Sequence, residues 1–315
     1  MKTSRIPLLI DTDPGVDDAL ALLMAFNDPQ HEVVGLTIAA GNVGLAHTVA
    51  NALKLCEVCE VSVPVFAGAD APLVFPARDA AYVHGRDGFG DTGYTPATRH
   101  AEAEHAALAI LRLSHEYAGT LVLVALAPLT NVALALKLDP SLPSRIARCV
   151  VMGAAVSAHG NITAAAEFNI AFDPEAAHIV FSAFPKIELA DWEAVLAHGF
   201  LHDDAERLLA MDAPRARFYN SISAHTRAWS KAGRGERWHA ADALAMALAL
   251  QPAGALELHE RPLVVETAGQ HARGATIVDW NRQTGAPDNV AILMRYDQTR
   301  FEAMIQAALA APAGA

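Results

Sequence analysis

The sequence predicts an α/β fold in which a mainly parallel sheet carries helices on both faces. Apolar runs of about four to eight residues, typical of buried strands, alternate with longer Ala/Leu-rich segments typical of helices. Alternating strands and helices favour parallel strand pairing in a doubly wound sheet. No Pro/Ser-rich linker divides the 315 residues, so we expect one domain covering residues 1–315.

The predicted elements follow one another in chain order. Strands are expected at residues 6–10, 33–40, 63–67, 121–127, 148–152, 186–190, 263–266, 276–278 and 290–294. Helices are expected at residues 19–26, 48–58, 102–117, 131–138, 239–250 and 301–309, after Asp173-Pro174, and as a pair within 200–232. Residues 68–100 are rich in Gly, Pro and Asp, which predicts a long loop and makes this segment a candidate lid.

An acidic cluster separates the first strand from the first helix. Four carboxylates occur within eight residues: Asp11, Asp13, Asp17 and Asp18. Carboxylates that lie this close repel one another, and a hard cation such as Ca²⁺ or Mg²⁺ relieves the repulsion because it prefers oxygen ligands. Helix capping would explain Asp17 and Asp18, which fall in the first helical turn, but it would not explain Asp11 and Asp13.

Polar residues follow several other predicted strands or begin a helix. They are Asn42, Thr130, Glu167, Asn169 and Asp242. In open α/β sheets, ligands bind at the carboxyl ends of the strands. Carboxylates and amides that converge there suit a cation together with a polyol, and the vicinal hydroxyls of a ribose would satisfy them.

Composition excludes several classes of protein. The net charge is −12 and no Lys/Arg-rich run occurs, which argues against nucleic acid or an anionic membrane as a partner. Cys56 and Cys59 form a Cys-x-x-Cys motif, but no second pair completes a zinc site. No stretch is long and apolar enough to cross a membrane, and the first apolar run stops at Asp11, too early for a signal peptide. We therefore expect a cytoplasmic protein.

The motifs, taken together, resemble those of the inosine-uridine-preferring nucleoside hydrolases. The first octet, Asp11-Thr12-Asp13-Pro14-Gly15-Val16-Asp17-Asp18, is similar to the N-terminal signature of that family. Further segments follow in the family's order: Ala40-Gly41-Asn42, His84-Gly85, Pro128-Leu129-Thr130-Asn131, Val151-Met152-Gly153, Glu167-Phe168-Asn169-Ile170, Asp173-Pro174-Glu175 and Arg273-Gly274-Ala275-Thr276. The octet and the Glu-Phe-Asn block at these spacings make the resemblance specific.

The resemblance implies a Rossmann-like fold and a Ca²⁺-dependent hydrolase of N-ribosyl bonds that acts in nucleotide salvage as a homodimer or homotetramer. It implies that Asp13 is both a metal ligand and the general base. Asp18, Asp242 and the main-chain carbonyl of Thr130 would be the further ligands. The sugar would be held or lined by Asp17, Asn42, Glu167, Asn169, Met152 and Asn161, with His84 beside the nucleobase.

The nucleobase side departs from the family's pattern. Many relatives carry a His immediately before the last metal-binding Asp, and here that position is Ala241. His239, three residues before Asp242, would lie on nearly the same helical face if the helix has already begun. Trp229 is a further candidate because an indole can stack on a base. Asp191-Trp192-Glu193 replaces the family's Asp-Val-Thr, and no role can be assigned to it from sequence.

Two alternatives stay open at this stage. An Asp-x-Asp phosphotransferase would use Asp11 and Asp13 with Mg²⁺, but Gly15 stands where that class carries Thr or Val, and Asn42, Asn169 and Asp242 would have no role. A ribose- or nucleoside-binding homologue with weak or no activity would keep the metal site without a leaving-group acid. Ala241 is the residue that keeps this second alternative open.

Overall fold

The computed structural model describes residues 5–312, and within them strands and helices alternate as the sequence predicts. The strands are β1 Ile6–Thr12, β2 His31–Ile38, β3 Val65–Ala67, β4 Leu121–Ala125, β5 Ile146–Met152, β6 Ile187–Ala190, β7 Phe200–Leu201, β8 Arg237–Trp238, β9 Ala255–Arg261, β10 Leu263–Val265, β11 Thr276–Val278 and β12 Val290–Tyr296. The helices are α1 Val16–Asn27, α2 Leu45–Val58, α3 Ala81–His84, α4 Ala106–Glu116, α5 Thr130–Leu138, α6 Phe168–Phe172, α7 Pro174–Ala183, α8 Trp192–Ala197, α9 His202–Leu209, α10 Pro214–Gly233, α11 Ala241–Leu250 and α12 Gln298–Ala310.

The central sheet has eight strands in the order β3-β2-β1-β4-β5-β6-β12-β9. All neighbours in it are parallel except β12 and β9, which pair in antiparallel fashion. The order reverses between β1 and β4, so the crevice outside their carboxyl ends is the expected ligand site of a Rossmann-like sheet. The acidic residues after β1 and Thr130 after β4 both lie beside this crevice.

The sheet is covered on both faces because side chains alternate along each strand. On β1, Leu8 and Ile10 belong to one apolar cluster, whereas Leu9 belongs to the other. The first cluster includes residues of α1, α2, α10, α11 and α12, and the second includes residues of α4, α5 and α7. This is the predicted arrangement of one α/β domain; its extent over residues 1–315 stays a prediction.

Several predicted elements differ from the structure. The helix expected at 239–250 begins at Ala241, so His239 lies before the helix and not on its face. The strands expected at 263–266 and 276–278 form a separate two-stranded sheet, β10 with β11. Sequence reasoning missed β9, which is largely exposed at the sheet edge and therefore lacks the apolar run of a buried strand. The long loop 68–100 contains the short helix α3.

The remaining composition-based expectations concern membranes and cysteines. Within residues 5–312, no helix has both the length and the apolar character that a membrane crossing needs. Cys56, Cys59 and Cys149 are free thiols, and all three are buried. Cys56 and Cys59 pack in the apolar cluster of α1 and α2, as expected for cysteines of a core helix.

Candidate active site

The turn between β1 and α1 is tight because the chain has no side chain at Gly15. A Cβ on Gly15 would lie 2.6 Å from Nδ1 of His84 and 2.9 Å from the side-chain nitrogen of Asn42. The glycine therefore lets residues from two other segments approach the start of α1. This places the first turn of α1, with Asp17 and Asp18, at the carboxyl edge of the sheet.

Asp18 is the most thoroughly hydrogen-bonded of the four carboxylates. It accepts hydrogen bonds from the Thr12 hydroxyl, from the backbone N–H of Gly15 at 3.0 Å, and from the side-chain amide of Asn42 at 2.9 Å. Its side chain is fully buried. Burial, followed by the charge of Asp17, raises the pKa of Asp18 to about 6. Asp18 is thus held rigidly in a position where its negative charge is costly.

Asp13 has one oxygen fixed and the other free. The backbone N–H of Asn42 donates to Oδ2 at 2.7 Å, whereas Oδ1 is buried without a hydrogen-bond partner among residues 5–312. Burial and the charge of Asp18 raise the pKa of Asp13 well above its ordinary value. A buried carboxylate oxygen without a donor is an expected ligand for a cation or an acceptor for a water proton.

Three carboxylates come close enough to share a cation. In the described part of the chain, one oxygen each from Asp17, Asp18 and Asp242 lie within 4.8 Å of one another. Burial and the charges of Asp17, Asp18 and Asp13 raise the pKa of Asp242 well above its ordinary value. Oδ1 of Asp17 is buried without a partner among the residues described. This group fits a hard divalent cation, whose charge would offset the mutual repulsion.

The predicted metal ligands overlap with this trio only in part. Asp18 and Asp242 belong to it, and Asp17, which the resemblance assigned to the sugar, is the third member. Asp13 is outside the trio as the structure describes it, although its charge acts on Asp242. The Thr130 hydroxyl donates to Asp173 at 2.8 Å, which fixes that residue at the start of α5. The roles of Asp13 and Thr130 as ligands stay predictions.

Asp11 connects the acidic cluster to neighbouring secondary-structure elements. Its Oδ1 accepts a hydrogen bond from the Thr37 hydroxyl at 2.7 Å and from the side-chain amide of Asn131 at 2.9 Å. Burial raises the pKa of Asp11 to about 7. Asp11 therefore ties β1 to β2 and α5, as expected for a residue that orients the turn and does not contact the ligand.

Most of the predicted site residues line one pocket. Those that do are Asp17, Asn42, His84, Met152, Asn161, Glu167, Asn169, Trp229, His239 and Asp242. Asp13, Asp18 and Thr130 are not among its described lining residues, and each of them is almost fully buried. The structure thus brings together residues from distant parts of the sequence, with two of the acidic residues below the pocket surface.

Glu167 and Asn169 are positioned by the short helix α6. Glu167 is its N-cap, and its carboxylate accepts hydrogen bonds from the backbone N–H groups of Asn169, Ile170 and Ala154 at 3.0–3.2 Å. Burial raises the pKa of Glu167 to about 7, with Asp17 adding to the effect. The side-chain amide of Asn169 donates to the carbonyl of Leu126 at 2.6 Å, which ties α6 to the end of β4.

His84 closes the pocket beside the acidic turn. Its Nδ1 accepts a hydrogen bond from the backbone N–H of Val16 at 3.2 Å. Burial lowers the pKa of His84 to about 4, so the ring is neutral at pH 7. With Nδ1 accepting, the ring proton is on Nε2. His84 thus holds the start of α1 through one nitrogen and has a donor on the other.

The pocket also has an aromatic wall that sequence reasoning found only in part. Trp229 and His239 were predicted, whereas Trp192, Tyr82 and Arg234 were not assigned. The rings of Trp192 and His239 have centroids 6.1 Å apart, and those of Tyr82 and Trp229 are 5.9 Å apart. The position of Trp192 directly after a predicted strand was the one available signal; nothing in the sequence marked Arg234.

His239, the histidine of this aromatic wall, is not protonated at pH 7. Burial lowers the pKa of His239 to about 4, and the charges of Arg234 and Arg237 add to that effect. Ala241, the position at which the resemblance led us to expect a His, also lines the pocket. The pocket therefore combines a strongly acidic floor with an aromatic wall that holds a guanidinium.

Comparisons with known proteins agree with this geometry. Residues 8–303 match the family model described as inosine-uridine preferring nucleoside hydrolase. The chain is 35% identical over 299 residues to the non-specific ribonucleoside hydrolase RihC of Salmonella enteritidis PT4, an alignment that covers 95% of this chain and 96% of that protein.

Two solved structures show the same architecture. One is a plant nucleoside hydrolase, the PpNRh1 enzyme, with a TM-score of 0.92 and 28% identity over 98% of this chain and 100% of that one. The other is an inosine-guanosine nucleoside hydrolase, with a TM-score of 0.90 and 30% identity over 97% of this chain and 99% of that one.

Proposed function

This chain belongs to the family of inosine-uridine preferring nucleoside hydrolases, and we propose that it hydrolyses the N-glycosidic bond of ribonucleosides with the help of a bound Ca²⁺. The observation that carries the proposal is the shared pocket. Asp17 and Asp242 of the carboxylate trio open into the same pocket as Asn42 and Asn169, whose amides suit the hydroxyls of a ribose.

The carboxylates at this edge of the sheet offer oxygen ligands of the type and number that Ca²⁺ binds. Ca²⁺ takes six to eight oxygen ligands from carboxylates, carbonyls and water. Asp13, Asp18, Asp242 and the carbonyl of Thr130 would hold it, and the observed trio places Asp17 close enough to contribute. When bound, the cation would neutralise the buried carboxylates, keep Asp13 ionised at neutral pH, and polarise and orient the attacking water.

Asp13 is the proposed general base. Its Oδ1 is free, while Oδ2 is fixed by Asn42, so one oxygen can take the proton of a water without moving the side chain. The water oxygen then bonds to C1′ of the ribose as the bond from C1′ to the base nitrogen breaks. The products are ribose and the free base.

The same carboxylates favour the transition state electrostatically. Cleavage of an N-glycosidic bond develops positive charge on the ribose ring, as in an oxocarbenium ion. Asp17, Glu167 and Asp242 line the pocket and would stabilise this charge, while Asn42 and Asn169 hold the hydroxyls in place. We assign more of the rate acceleration to positioning than to acidification of the water.

The two alternatives from the sequence are weaker than this proposal. An Asp-x-Asp phosphatase would leave the pocket residues Asn42, Asn169 and Asp242 unexplained, and it has no support from the family match. A binding protein without activity would have the same carboxylate cluster. It would differ only in lacking a group that assists the departure of the nucleobase. Ala241 and the neutral His239 are the features that would suit it.

One substrate panel separates the three functions. Purified protein with Ca²⁺ is incubated with inosine, uridine, cytidine, adenosine, p-nitrophenyl riboside and p-nitrophenyl phosphate, and free ribose, base or nitrophenol is measured. Release of ribose from at least one nucleoside supports the proposal. Tight nucleoside binding without turnover of any riboside indicates a binding protein, and turnover of the phosphate alone indicates a phosphatase.

We also propose a homodimer or homotetramer that acts in the cytoplasm in nucleotide salvage, and the family resemblance is the support for this. Light scattering after size-exclusion chromatography tests the assembly, and a mass of about one chain under assay conditions would contradict it.

A further inference from the structure

Arg234 is fixed in the base side of the pocket by three separate elements. It is the C-cap of α10, and its Cζ lies 5.2 Å from the ring centroid of Trp229 on the same helix. Cζ also lies 5.5 Å from the ring centroid of Trp192 at the start of α8. Nη2 donates to the carbonyl of Asn161 at 3.0 Å. The guanidinium is therefore in contact with two indoles, a favourable cation–π arrangement.

Arg234 also stands out by its charge. Among the described residues that line the pocket, it is the only Lys or Arg, and it faces a pocket whose carboxylates are Asp17, Glu167 and Asp242. A guanidinium has five N–H donors in a rigid fork. The bond to Asn161 uses one of them, and no ion pair to Arg234 occurs within residues 5–312. Donors are therefore available for a ligand.

In the proposed function Asn42 and Asn169 hold the ribose, which leaves the aromatic wall beside Arg234 for the departing base. Ala241 has no proton to give to it, and Trp192 and Trp229 offer flat apolar faces on which a base can stack. A guanidinium stays protonated at all working pH values, so it can stabilise a negative charge but cannot act as a general acid. At this wall, where His239 is neutral at pH 7, the available assistance is therefore stabilisation of negative charge by Arg234 and not proton donation by a charged His239.

We propose that Arg234 stabilises the nucleobase as it leaves as an anion and selects bases that carry an oxo group at purine C6 or pyrimidine C4; this inference rests on the proposed function. The bond from C1′ to the base nitrogen breaks with its electron pair on the base, while the water oxygen bonds to C1′ and its proton passes to Asp13. The base anion, paired with the guanidinium, then takes a proton from solvent.

The hydrogen-bonding groups of the bases determine which substrates Arg234 favours. At C6 of a purine or C4 of a pyrimidine, hypoxanthine, guanine and uracil present an oxo group that accepts hydrogen bonds, whereas adenine and cytosine present an amino group that donates them. The N–H groups of Arg234 can donate to an oxo group, whereas they repel an amino group, which is also a donor. Inosine and uridine are therefore the expected substrates, ahead of adenosine and cytidine.

The test compares leaving groups in Arg234→Gln, Arg234→Lys and a matched control. p-Nitrophenolate leaves readily and needs little help, whereas hypoxanthine needs stabilisation. In Arg234→Gln, kcat/KM for inosine should fall about 100-fold, the range seen when one stabilising donor is removed. The fall for p-nitrophenyl riboside should be within about threefold, and the inosine-to-adenosine ratio should drop. Arg234→Lys should recover part of the inosine rate.

Lys231→Gln is the control, because Lys231 lies in the last turn of the same helix, is exposed, and is outside the described pocket lining. It should behave as wild type. Equal losses on inosine and p-nitrophenyl riboside, or no loss on inosine, would overturn the role of Arg234 and leave the proposed function standing. A wild-type protein that hydrolyses no riboside would overturn both. Millimolar guanidinium that restores inosine turnover to Arg234→Ala would support the inference, even if Arg234→Gln folds poorly.

Discussion

The backbone N–H of Asn42 donates a hydrogen bond to Oδ2 of Asp13 over 2.7 Å and so decides which oxygen of that carboxylate is free. The other oxygen, Oδ1, is buried and has no partner among the described residues. Asn42 also donates through its side chain to Asp18, so one residue at the end of β2 orients both inner carboxylates. This relationship gives Asp13 the geometry of a general base.

Replacing Asp13 tests that geometry directly. Asp13→Asn keeps the shape and can still accept from Asn42, but an amide cannot take a proton from water. We expect kcat/KM for inosine to fall about 10²–10⁴-fold, the usual contribution of a general base. In EDTA, where Asp13 holds no cation, the melting temperature should not fall, because the substitution removes a buried carboxyl group that its acidic neighbours repel. Steady-state kinetics and scanning fluorimetry measure both, and an active Asp13→Asn variant would exclude the role.

Gly41 offers a second test that leaves every acidic residue intact. A Cβ at Gly41 would overlap with the carboxylate of Asp13, whereas a Cβ at Gly44 would meet no atom within 4 Å. Gly41→Ala should therefore displace Asp13 and lower kcat/KM at least about tenfold, since small misplacements of reacting groups are costly. Gly44→Ala is the control and should keep wild-type kinetics. Equal activities in the two variants would contradict the proposed position of Asp13.

Chelation tests the cation. Without a bound cation, burial and mutual repulsion raise the pKa values of Asp13 and Asp242 well above their ordinary value, so the ionised form of each carboxyl group is disfavoured. Treatment with EDTA and gel filtration should abolish ribose release, and added Ca²⁺ should restore it and raise the melting temperature. Titration with Ca²⁺, Mg²⁺ and Zn²⁺ identifies the ion. Full activity after complete removal of metal would contradict the proposal.

The metal-free protein should lose stability as pH rises from 6.5 to 8.5. Burial raises the pKa of Asp11 and of Glu167 to about 7 and that of Asp191 to about 8. The folded protein then keeps protons that the unfolded chain, with carboxyl pKa values of about 4, has lost. Raised carboxyl pKa values favour the folded state at low pH, and this advantage disappears as pH passes through about 7 to 8.

Scanning fluorimetry in EDTA at pH 6.5, 7.5 and 8.5 measures this effect as a falling melting temperature. The buried His84 and His239 act in the opposite direction because their pKa values are lowered to about 4, but this contribution is largely complete once pH exceeds the ordinary histidine pKa of about 6.5. Asp191→Asn should flatten the decline at the upper end while keeping the cap of α8, since the amide oxygen can still accept from Ala194. A melting temperature that rises with pH would show that the pKa values of these carboxyl groups are not raised.

The sequence predicted the carboxylate half of the site because its information is local. Residues 11–18 place four carboxylates, a tight turn and a helix start in one segment, so no knowledge of tertiary contacts is needed. The parallel sheet then follows from strand–helix alternation, and it brings Asn42, Glu167 and Asn169 to the same edge. What the sequence did not show was that Asp13 and Asp18 lie beneath the pocket surface and Asp17 at it.

The aromatic half of the pocket was harder to predict because it is assembled from separate elements. Trp192 begins α8, Trp229 lies within α10 and Arg234 ends that helix, and no periodic pattern links the three. Their contacts depend on how α8 and α10 pack across the pocket. The same applies to His239, whose predicted place on a helical face was wrong because α11 begins two residues later.

The most direct test of the central claim is product stoichiometry from inosine. Wild-type protein with Ca²⁺ in phosphate-free buffer should release ribose and hypoxanthine in equal amounts, and Asp13→Asn should release neither above background while still binding inosine. Calorimetry measures the binding and chromatography measures both products. Equal release by the Asp13→Asn variant, or no release by the wild type despite bound inosine and Ca²⁺, would contradict the account.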